Sequence, residues 1–405
     1  MYAGISDYVI NLRRELHTCP EVDFNLPKTT AIVKRELDAI GVPYTEKYGE
    51  GSVVGYINPE KKGFTIALRA DMDALRILEK RDTPYRSKHE GMMHACGHDA
   101  HTAALLGAAK VLKGMESELS CRVKLMFQPS EEGVKSGAAM MIANGVLDDV
   151  DVVIGEHVSN AIEHGTLGVC PKESQATSRH FKIEIDGKSA HVAQAHTGID
   201  AVAVAFRVYS DVQLMLTREV SPLERCLCSI GTVNAGTTHN VVADHAVMTG
   251  TIRTFNVELS KFMIERIEKI CQAVSDLTGA KITVHGPAKS SCVYNNPYLS
   301  ELMMKSMRKV VGEENTLEFP ISISSEDFSL YGDVVPALLF RLGTGDAERG
   351  ITAPLHHSDF EISEDAIING VRAMVQFVVD NQGGIDKEKM LKSDTRKNAA
   401  SAIKL

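Results

Sequence analysis

The sequence lacks the features that mark several common classes of protein. Lysine and arginine, 44 residues together, are outnumbered by 53 acidic residues and are scattered along the chain. A net charge of -9 argues against a surface that binds phosphate groups, so we expect no nucleic-acid partner. No window holds about 18 uninterrupted apolar residues, and the first residues show no signal-peptide pattern. We therefore expect a cytoplasmic protein with no membrane partner.

A disulfide framework is also missing. Eight cysteines in 405 residues, without a secretory signal, are typical of packing positions in a reducing compartment. Cys96 is the exception, because it alone lies among histidines, in the stretch "GMMHACGHDAH". The chain is longer than the roughly 250 to 300 residues that one core supports, and its apolar fraction of 44% is ordinary for a globular protein. We expect two domains.

The first half of the chain alternates between strand-like and helical patterns. Apolar runs of strand length, such as "FTIALRA", "RVKLMFQ" and "VDVVIGEHV", are separated by helical stretches such as "HTAALLGAAKVLKG". This alternation predicts an α/β fold with right-handed crossovers and a mostly parallel sheet.

The pattern changes at residue 177. From there to residue 289 the order strand, helix, strand, strand, helix, strand predicts a ferredoxin-like α+β unit. Such a unit closes on itself, so we interpret it as a domain inserted between residues 1–176 and 290–385, which form one discontinuous domain. Residues 386–405 are charged with little apolar periodicity, which predicts a tail or a loosely docked helix.

Polar side chains follow the predicted parallel strands. Asp71 and Asp73 follow "FTIALRA", Glu131 and Glu132 follow "RVKLMFQ", and His157 ends "VDVVIGEH". Ligands bind outside the carboxyl ends of the strands in open α/β sheets. We therefore expect these residues to converge at one edge of the sheet.

Each of these residues alone has an ordinary explanation. Cys96 and His98 have metal-ligand spacing, yet such pairs also occur by chance, and a cysteine nucleophile with a histidine base is a further alternative. Adjacent glutamates can simply charge the first turn of a helix, and an isolated strand histidine is more often a core residue. Their coincidence at one sheet edge, with His356 and His357 in "PLHHSDF", favours a metal site.

The mixed thiolate, imidazole and carboxylate ligands limit the chemistry. Such donors suit zinc, manganese or cobalt better than calcium or magnesium. Five ligands exceed one tetrahedral zinc, so we expect two metal ions, which can hold a water between them and polarise a carbonyl group. Hydrolysis of an amide follows naturally, with one carboxylate beside the water acting as general base and then as general acid.

These motifs resemble those of the metal-dependent aminoacylase and carboxypeptidase family, in particular the branch of hippurate hydrolase, N-acyl-amino-acid amidohydrolases and auxin-conjugate amidohydrolases. The similarity runs from "LRRELHTCPE" through "LRADMDAL", "MHACGHDAHTAALLGAA", "FQPSEEG", "GKSAH", "NVVADHAVMTGTIRTF" and "SSEDF" to "PLHHSDFEISED". It covers nearly all of residues 1 to 380 and implies a catalytic domain like that of the dinuclear-metal exopeptidases.

The resemblance also assigns roles to individual residues. It implies that Glu131 is the general base and acid, and that His356 rather than His357 is a ligand, because it lies four residues before Phe360. The implied ligands of the two metal ions are Cys96, His98, Glu132, His157 and His356.

In the inserted domain the resemblance implies that His191 of "GKSAH" stabilises the oxyanion in the active site of a partner subunit. The insertion would then serve as lid and dimerisation domain of a homodimer. Asn240 is expected to contact substrate or oxyanion, and Arg253 either anchors a substrate carboxylate or forms a salt bridge on the strand face. Asp71 and Asp73 are expected to orient the ligating histidines.

The sequence thus predicts a metal-dependent amidohydrolase of N-acyl-amino acids or small amide conjugates, acting through a metal-bridged hydroxide. A carboxypeptidase or dipeptidase on the same scaffold remains open, as does a catalytically silent metal-binding or scaffolding protein. Glu156 departs from the family pattern, which commonly has an apolar residue before His157. Strand alternation places it on the opposite face; if it reached the pocket, it would disfavour acidic substrates.

Overall fold

A computed structural model describes residues 2–286 and 291–396. These residues form two compact units: a larger unit of residues 2–174, 293–321 and 327–396, and a smaller unit of residues 175–286, 291–292 and 322–326. The predicted domain boundary at residues 289 and 290, and residues 397–405 of the predicted tail, lie outside the described residues. No helix in the described ranges is long and apolar enough to span a membrane.

The helices of the described chain begin and end as follows: α1 (Ile5–His17), α2 (Pro27–Ile40), α3 (His98–Gly114), α4 (Gly137–Ala143), α5 (Ala201–Arg218), α6 (Val257–Thr278), α7 (Pro297–Val311), α8 (Ser329–Val334), α9 (Ile367–Asn381) and α10 (Lys387–Ser393). Several start at the residue types that favour a helix amino terminus. Asp200 caps α5 and Asn256 caps α6, each accepting hydrogen bonds from two backbone N–H groups of its first turn.

The strands of the described chain are β1 (Tyr44–Thr45), β2 (Val53–Ile57), β3 (Thr65–Asp71), β4 (Arg122–Gln128), β5 (Val152–Glu163), β6 (Leu167–Val169), β7 (Lys172–Gln175), β8 (Arg179–Asp186), β9 (Ala190–His191), β10 (Cys226–Ala235), β11 (Val241–Val242), β12 (His245–Thr254), β13 (Lys281–His285), β14 (Val293–Asn295), β15 (Thr316–Glu318) and β16 (Ala337–Gly345).

The larger unit is built on an eight-stranded sheet with the order β1-β2-β4-β3-β5-β16-β6-β15. Its four central strands, β4, β3, β5 and β16, are parallel to one another, whereas β2 and β6 join antiparallel to them. The predicted α/β fold with a mostly parallel sheet is confirmed. One detail was wrong: His157 does not end its strand, because pairing with β16 continues to Glu163.

The central strands are buried on both faces, as expected of a parallel sheet covered by helices. Along β3, Ile66 and Leu68 join the core that lies against α1, α3, α7 and α9, whereas Ala67 joins the core shared with α4 and α8. Ile154 and Val153 of β5 divide in the same way. This doubly covered sheet fixes the strand ends that carry the candidate site.

The smaller unit has a four-stranded antiparallel sheet with the order β10-β12-β8-β13. Together with α5 and α6, this is the strand order of the ferredoxin-like unit that the sequence predicts. Residues 322–326 also belong to this unit. We had expected them in the discontinuous domain, which the prediction extended over residues 290–385. Nη1 of Arg253 on β12 donates to the carbonyl oxygen of Ile323, 3.1 Å away, which explains the association.

The beginning of the predicted tail is ordered structure in the larger unit. Asp386 caps α10 through the backbone N–H of Lys389, and Met390 is buried. Nδ2 of Asn296 donates to the carbonyl oxygen of Met390 at 2.9 Å. One apolar anchor and one buried amide therefore dock the start of the segment that the sequence predicts to be a tail or a loosely docked helix.

Candidate metal centre

Cys96 and His98 are placed by the turn that begins α3. Gly97, between them, has a φ of +80°, and a Cβ at this position would overlap the side chain of Val158. Only glycine fits this left-handed, crowded turn without strain. The turn directs the buried Cys96 and His98 side chains into the same region.

The buried histidines present the nitrogen that a metal ion requires. Nδ1 of His98 lies 2.8 Å from the backbone oxygen of Asp73, and Nδ1 of His157 lies 2.8 Å from the backbone oxygen of Val158. A carbonyl oxygen only accepts, so each Nδ1 carries a proton, and Nε2 is the nitrogen left to face a metal ion. Among the described residues, Nε2 of His98 has no hydrogen-bond partner, and Nε2 of His157 lies 3.5 Å from Sγ of Cys96.

The two glutamates follow β4 and are held by one aspartate. The Asp73 carboxylate accepts the backbone N–H of Glu131 at 2.8 Å and that of Glu132 at 3.1 Å. The preceding residue, Ser130, has a φ of +52°, a strained conformation for a residue with a Cβ. This turn brings both carboxylates near the His98 ring without a hydrogen bond to it: Oε2 of Glu131 and Oε1 of Glu132 each lie 4.0 Å from Nε2 of His98.

His356 joins the cluster from the loop after β16. It too has a positive φ, +63°, and its backbone N–H donates to the carbonyl oxygen of Ala95 at 2.8 Å. Its Nε2 lies 3.0 Å from Oε1 of Glu132. His357 instead lies beside Asp359, with Nδ1 3.5 Å from Oδ2 of that carboxylate. The structure therefore places His356, and not its neighbour, in the cluster.

The predicted ligands form overlapping groups in which one donor atom from each residue lies within 4.8 Å of the others: Cys96 with His98 and His157, Cys96 with Glu132 and His356, and His98 with Glu131 and Glu132. Two of these groups share Cys96. Sulfur, imidazole and carboxylate donors gathered in one cluster, with an orphaned imidazole nitrogen, fit divalent transition-type metal ions.

The electrostatics of the cluster favour a cation at its centre. Burial alone would lower the pKa of His98, but the carboxylates of Asp71 and Asp73 outweigh it and raise that pKa to about 10. Burial, followed by Glu132 and Glu131, raises the pKa of the Cys96 thiol well above its ordinary value. A thiol in this anionic surrounding is a poor nucleophile without a cation, which argues against a cysteine hydrolase. A bound divalent ion would stabilise the thiolate.

Asp71 and Asp73 orient this cluster in different ways. Oδ1 of Asp71 accepts from Nδ1 of His101 at 2.6 Å, and Nε2 of His101 in turn accepts the backbone N–H of Val158 at 2.9 Å. Asp71 is itself held by Nη1 of Arg69 at 2.6 Å. Asp73 acts through its backbone oxygen on His98 and through its carboxylate on the glutamate turn. Thus Asp71 positions β5 through His101, whereas Asp73 contacts a candidate ligand directly.

The other sequence-predicted residues belong to the smaller unit. His191 on β9 pairs with Val241 on β11, and the backbone N–H of Val192 donates to the oxygen of Asn240 at 3.2 Å. His191 and Asn240 therefore lie together on one exposed ribbon. Arg253 contacts the oxygen of Ile323 and, at 3.4 Å, the hydroxyl of Ser325.

Glu156 lies on the α9 side of the sheet rather than with His157. Its carboxylate fills the space over Gly370, where a Cβ would overlap it. Neither carboxylate oxygen has a hydrogen-bond partner among the described residues. Burial, with a contribution from Asp71, raises the pKa of Glu156 well above its ordinary value. This position supports the expectation from strand alternation that Glu156 lies on the opposite face from His157. It does not support an effect of Glu156 on the substrate pocket.

Sequence reasoning missed a buried ion network centred on Arg13 of α1. The guanidinium is fully buried and contacts the carboxylates of Asp99, Glu361 and Glu364. A signal was present: Arg13 lies four residues after Val9 and three before Leu16, so it falls on the apolar face of an amphipathic helix. A charge in that position indicates a buried partner.

The fold and the cluster define a metal-dependent hydrolase of amide bonds. The sequence profile of Peptidase family M20/M25/M40 matches residues 67–380, and the chain belongs to this family. The predicted resemblance to the metal-dependent aminoacylase and carboxypeptidase group is confirmed.

Individual relatives agree with this assignment. The chain is 37% identical to the N-acetyl-L-cysteine deacetylase of Bacillus subtilis (strain 168) over 361 residues, covering 89% of this chain and 85% of the relative. It is 33% identical to thermostable carboxypeptidase 2 of Saccharolobus solfataricus, covering 91% and 94%. The structure of the Bacillus subtilis YXEP protein, a dinuclear metal binding peptidase, superposes with a TM-score of 0.78 at 30% identity, covering 93% of this chain and 98% of the other. The chain thus shares the fold of a dinuclear metal-binding peptidase.

Proposed function

We propose that this protein hydrolyses the amide bond of N-acyl-amino acids or related small amide conjugates. The proposed cofactor is a pair of divalent ions, zinc, manganese or cobalt, held by Cys96, His98, Glu132, His157 and His356. The observation that carries the proposal is the sharing of Cys96 between two candidate ligand groups, with Glu131 as an additional carboxylate in a third group, beside His98 and Glu132. A purely structural metal site would have no use for that extra base.

The ions, when bound, supply Lewis-acid polarisation of the amide carbonyl and lower the pKa of water toward about 7. Glu131 takes the proton of the attacking water and delivers it to the departing amine. Its backbone is fixed by Asp73, and its Oε2 faces the Nε2 side of His98. A positioned carboxylate in this role contributes about 10² to 10⁴ to the rate.

The smaller unit provides the second half of the proposed machinery. We assign it as lid and dimerisation domain, the role that the resemblance implies for the insertion predicted at residues 177–289. His191 of a second copy donates a hydrogen bond to the developing oxyanion, Asn240 contacts substrate or oxyanion, and Arg253 anchors the substrate carboxylate. The exposure of His191 and Asn240 on one ribbon supports roles toward a ligand outside their own unit. We predicted from the sequence that the protein has no nucleic-acid or membrane partner and is cytoplasmic. These statements remain predictions.

A carboxypeptidase or dipeptidase activity is the second candidate. The similarity to thermostable carboxypeptidase 2 supports it, and at 33% identity that relative is almost as similar as the deacetylase. The two activities differ in what fills the acyl pocket, since the chemistry at the amide is the same.

A substrate panel separates these candidates. Metal-free protein reconstituted with zinc, manganese or cobalt is assayed on N-acetyl, N-benzoyl and indole-acetyl amino acids, and on dipeptides with a free amino terminus. We expect kcat/KM for at least one N-acyl-amino acid to exceed that for every dipeptide by about tenfold or more, which corresponds to 1.4 kcal/mol in the transition state. A preference for dipeptides would replace the proposal with the second candidate. Full metal content without turnover of any amide would favour a silent metal-binding protein.

A further inference from the structure

Arg13 makes an unusual set of contacts for a residue on the first helix. Its Nε donates to Oδ2 of Asp99 at 2.8 Å, its Nη2 lies 2.8 Å from Oε1 of Glu361, and its Nη1 donates to Oε1 of Glu364 at 3.3 Å. The guanidinium therefore touches three carboxylates from two segments that are far apart in sequence, Asp99 on one and Glu361 with Glu364 on the other. All of these residues belong to the larger unit.

Two of the three partners are attached to the candidate ligands. Asp99 directly follows His98 in the first turn of α3. Glu361 follows Phe360 and lies five residues after His356 in the same loop segment. The backbone N–H of His356 also donates to the carbonyl oxygen of Ala95, which links the same two segments. Arg13 thus joins the segment that carries Cys96 and His98 to the segment that carries His356.

Further contacts hold both partners in place. Asp99 Oδ2 also accepts from Nδ1 of His17 at 2.7 Å, and Glu361 Oε2 accepts from the hydroxyl of Tyr85 at 2.9 Å.

Stability alone is a weak reason for such a network. A buried ion cluster is often no more stabilising than well-packed apolar side chains of similar volume, because both charges lose their hydration. What the network supplies, and apolar packing would not, is a directional link between the first turn of α3 and the segment after His356. A side chain fixed by three carboxylates holds these two segments at a defined separation.

We propose that Arg13 is a positioning residue that fixes His356 relative to Cys96 and His98, and thereby sets the affinity of the Cys96, Glu132 and His356 group for its cation. The inference rests on the proposed metal site. Partners that orient metal ligands typically contribute 10- to 100-fold in affinity, and we expect an effect of that size.

The test measures Co²⁺ binding by competition dialysis, together with the visible absorption of the Co²⁺-substituted protein, which reports its thiolate and imidazole ligands. The variants are Arg13→Gln, which removes the whole link, and Glu361→Gln, which weakens only the arm toward His356. Arg14→Gln is the matched control, because Arg14 is adjacent, contacts the same Glu364 carboxylate, and is half exposed. Circular dichroism and thermal unfolding verify that each variant is folded.

We expect Arg13→Gln to weaken the lower-affinity Co²⁺ site about 10- to 100-fold and to alter the spectrum, with Glu361→Gln showing the same change to a smaller degree and Arg14→Gln binding within about twofold of wild type. If Arg13→Gln does not fold, Glu361→Gln decides alone. Folded variants with unchanged affinity and spectrum would overturn the role of Arg13. A wild-type chain that binds no Co²⁺ would instead overturn the proposed metal site itself.

Discussion

The two units hold their candidate residues in opposite ways. In the larger unit, Cys96, His98 and His157 are buried, and neighbouring backbone or carboxylate groups fix the ring or turn that presents them. In the smaller unit, His191 and Asn240 are exposed on a short ribbon, and the His191 side chain accepts only the backbone N–H of Ala193 among the hydrogen bonds described for it.

Because of this difference, a single chain explains the candidate metal ligands of the larger unit but not the exposed residues of the smaller unit. The cluster in the larger unit has the donor types and the orphaned nitrogen of a metal site, all within its own fold. No comparable group of donors within the described part of the smaller unit explains His191 and Asn240. If they act in catalysis, they act on a ligand or on another copy of the chain.

The largest expected effect is on turnover and tests the role of Glu131 in the larger unit. Glu131→Ala removes the proposed base without removing a proposed ligand, so turnover should fall by about 10²- to 10⁴-fold while metal content stays at the wild-type value. Turnover and metal content are measured on the same samples. Glu132→Ala is the matched neighbour and should lose metal. Metal loss in Glu131→Ala with retention in Glu132→Ala would mean that the two glutamates have exchanged roles.

The second prediction concerns His191 of the smaller unit. His191→Ala should lower kcat by about 10²- to 10³-fold, the usual effect of losing one donor to an oxyanion. Metal affinity should not change, since His191 lies outside the cluster.

Mixing variants tests whether His191 acts across two copies. In an equal mixture of His191→Ala and Glu131→Ala chains that exchange freely, about a quarter of wild-type activity should return, because half of the dimers are mixed and one of their two sites is intact. Verified mixed dimers without recovery would place His191 in its own chain's site, or outside catalysis altogether.

A smaller effect, on metal affinity, is expected when Asp73, which supports the cluster, is replaced. Asp73→Ala removes the carboxylate that accepts the backbone N–H groups of Glu131 and Glu132, so metal affinity should fall by about 10- to 100-fold. Competition with a chelator measures this change. Asp186→Ala, an exposed aspartate in the smaller unit, is the control. Equal affinities for the two variants would show that the turn holds without Asp73.

The smallest prediction concerns the unpartnered carboxyl of Glu156. Glu156→Leu should raise the free energy of unfolding of the metal-free protein by about 1 to 3 kcal/mol, the usual cost of a buried polar group without a partner. Because the pKa of Glu156 is raised in the folded state, the folded chain binds its proton more tightly than the unfolded chain does. Wild-type stability therefore falls as the pH rises above about 4.3, the ordinary glutamate pKa.

The stabilising effect of this substitution should accordingly be larger at pH 8 than at pH 5, as measured by chemical denaturation. Glu163→Leu, at the exposed end of the same strand, should change stability by less than about 0.5 kcal/mol. The ratio of N-acyl-glutamate to N-acyl-lysine turnover should stay the same, since Glu156 faces α9. A changed ratio, or a gain that is greater at pH 5, would contradict this placement.

The fold and the convergence of the site were predictable because both follow from local patterns. Strand-length apolar runs alternate with helical ones, and the carboxyl ends of parallel strands share one edge, so Asp71, Glu131 and His157 had to approach one another. The ferredoxin-like order of the smaller unit followed from the same kind of pattern.

Other features depend on contacts that no local pattern encodes. Ser130 and His356 adopt positive φ values without being glycine, because the surrounding hydrogen bonds impose them. The link from Arg13 to Glu364 joins residues 351 positions apart. The fit of Glu156 over Gly370 requires knowing which helix covers β5. Each of these follows from tertiary packing rather than from periodicity.

We propose above all that the clustered donors form a two-metal hydrolytic site. The most direct measurement titrates metal-free protein with zinc, manganese or cobalt, and follows bound metal and turnover of a cleaved N-acyl-amino acid in the same samples. We expect about two ions per chain and activity that rises until both are bound, as for a two-metal site. Binding of no metal, or full activity in rigorously metal-free protein, would contradict the claim.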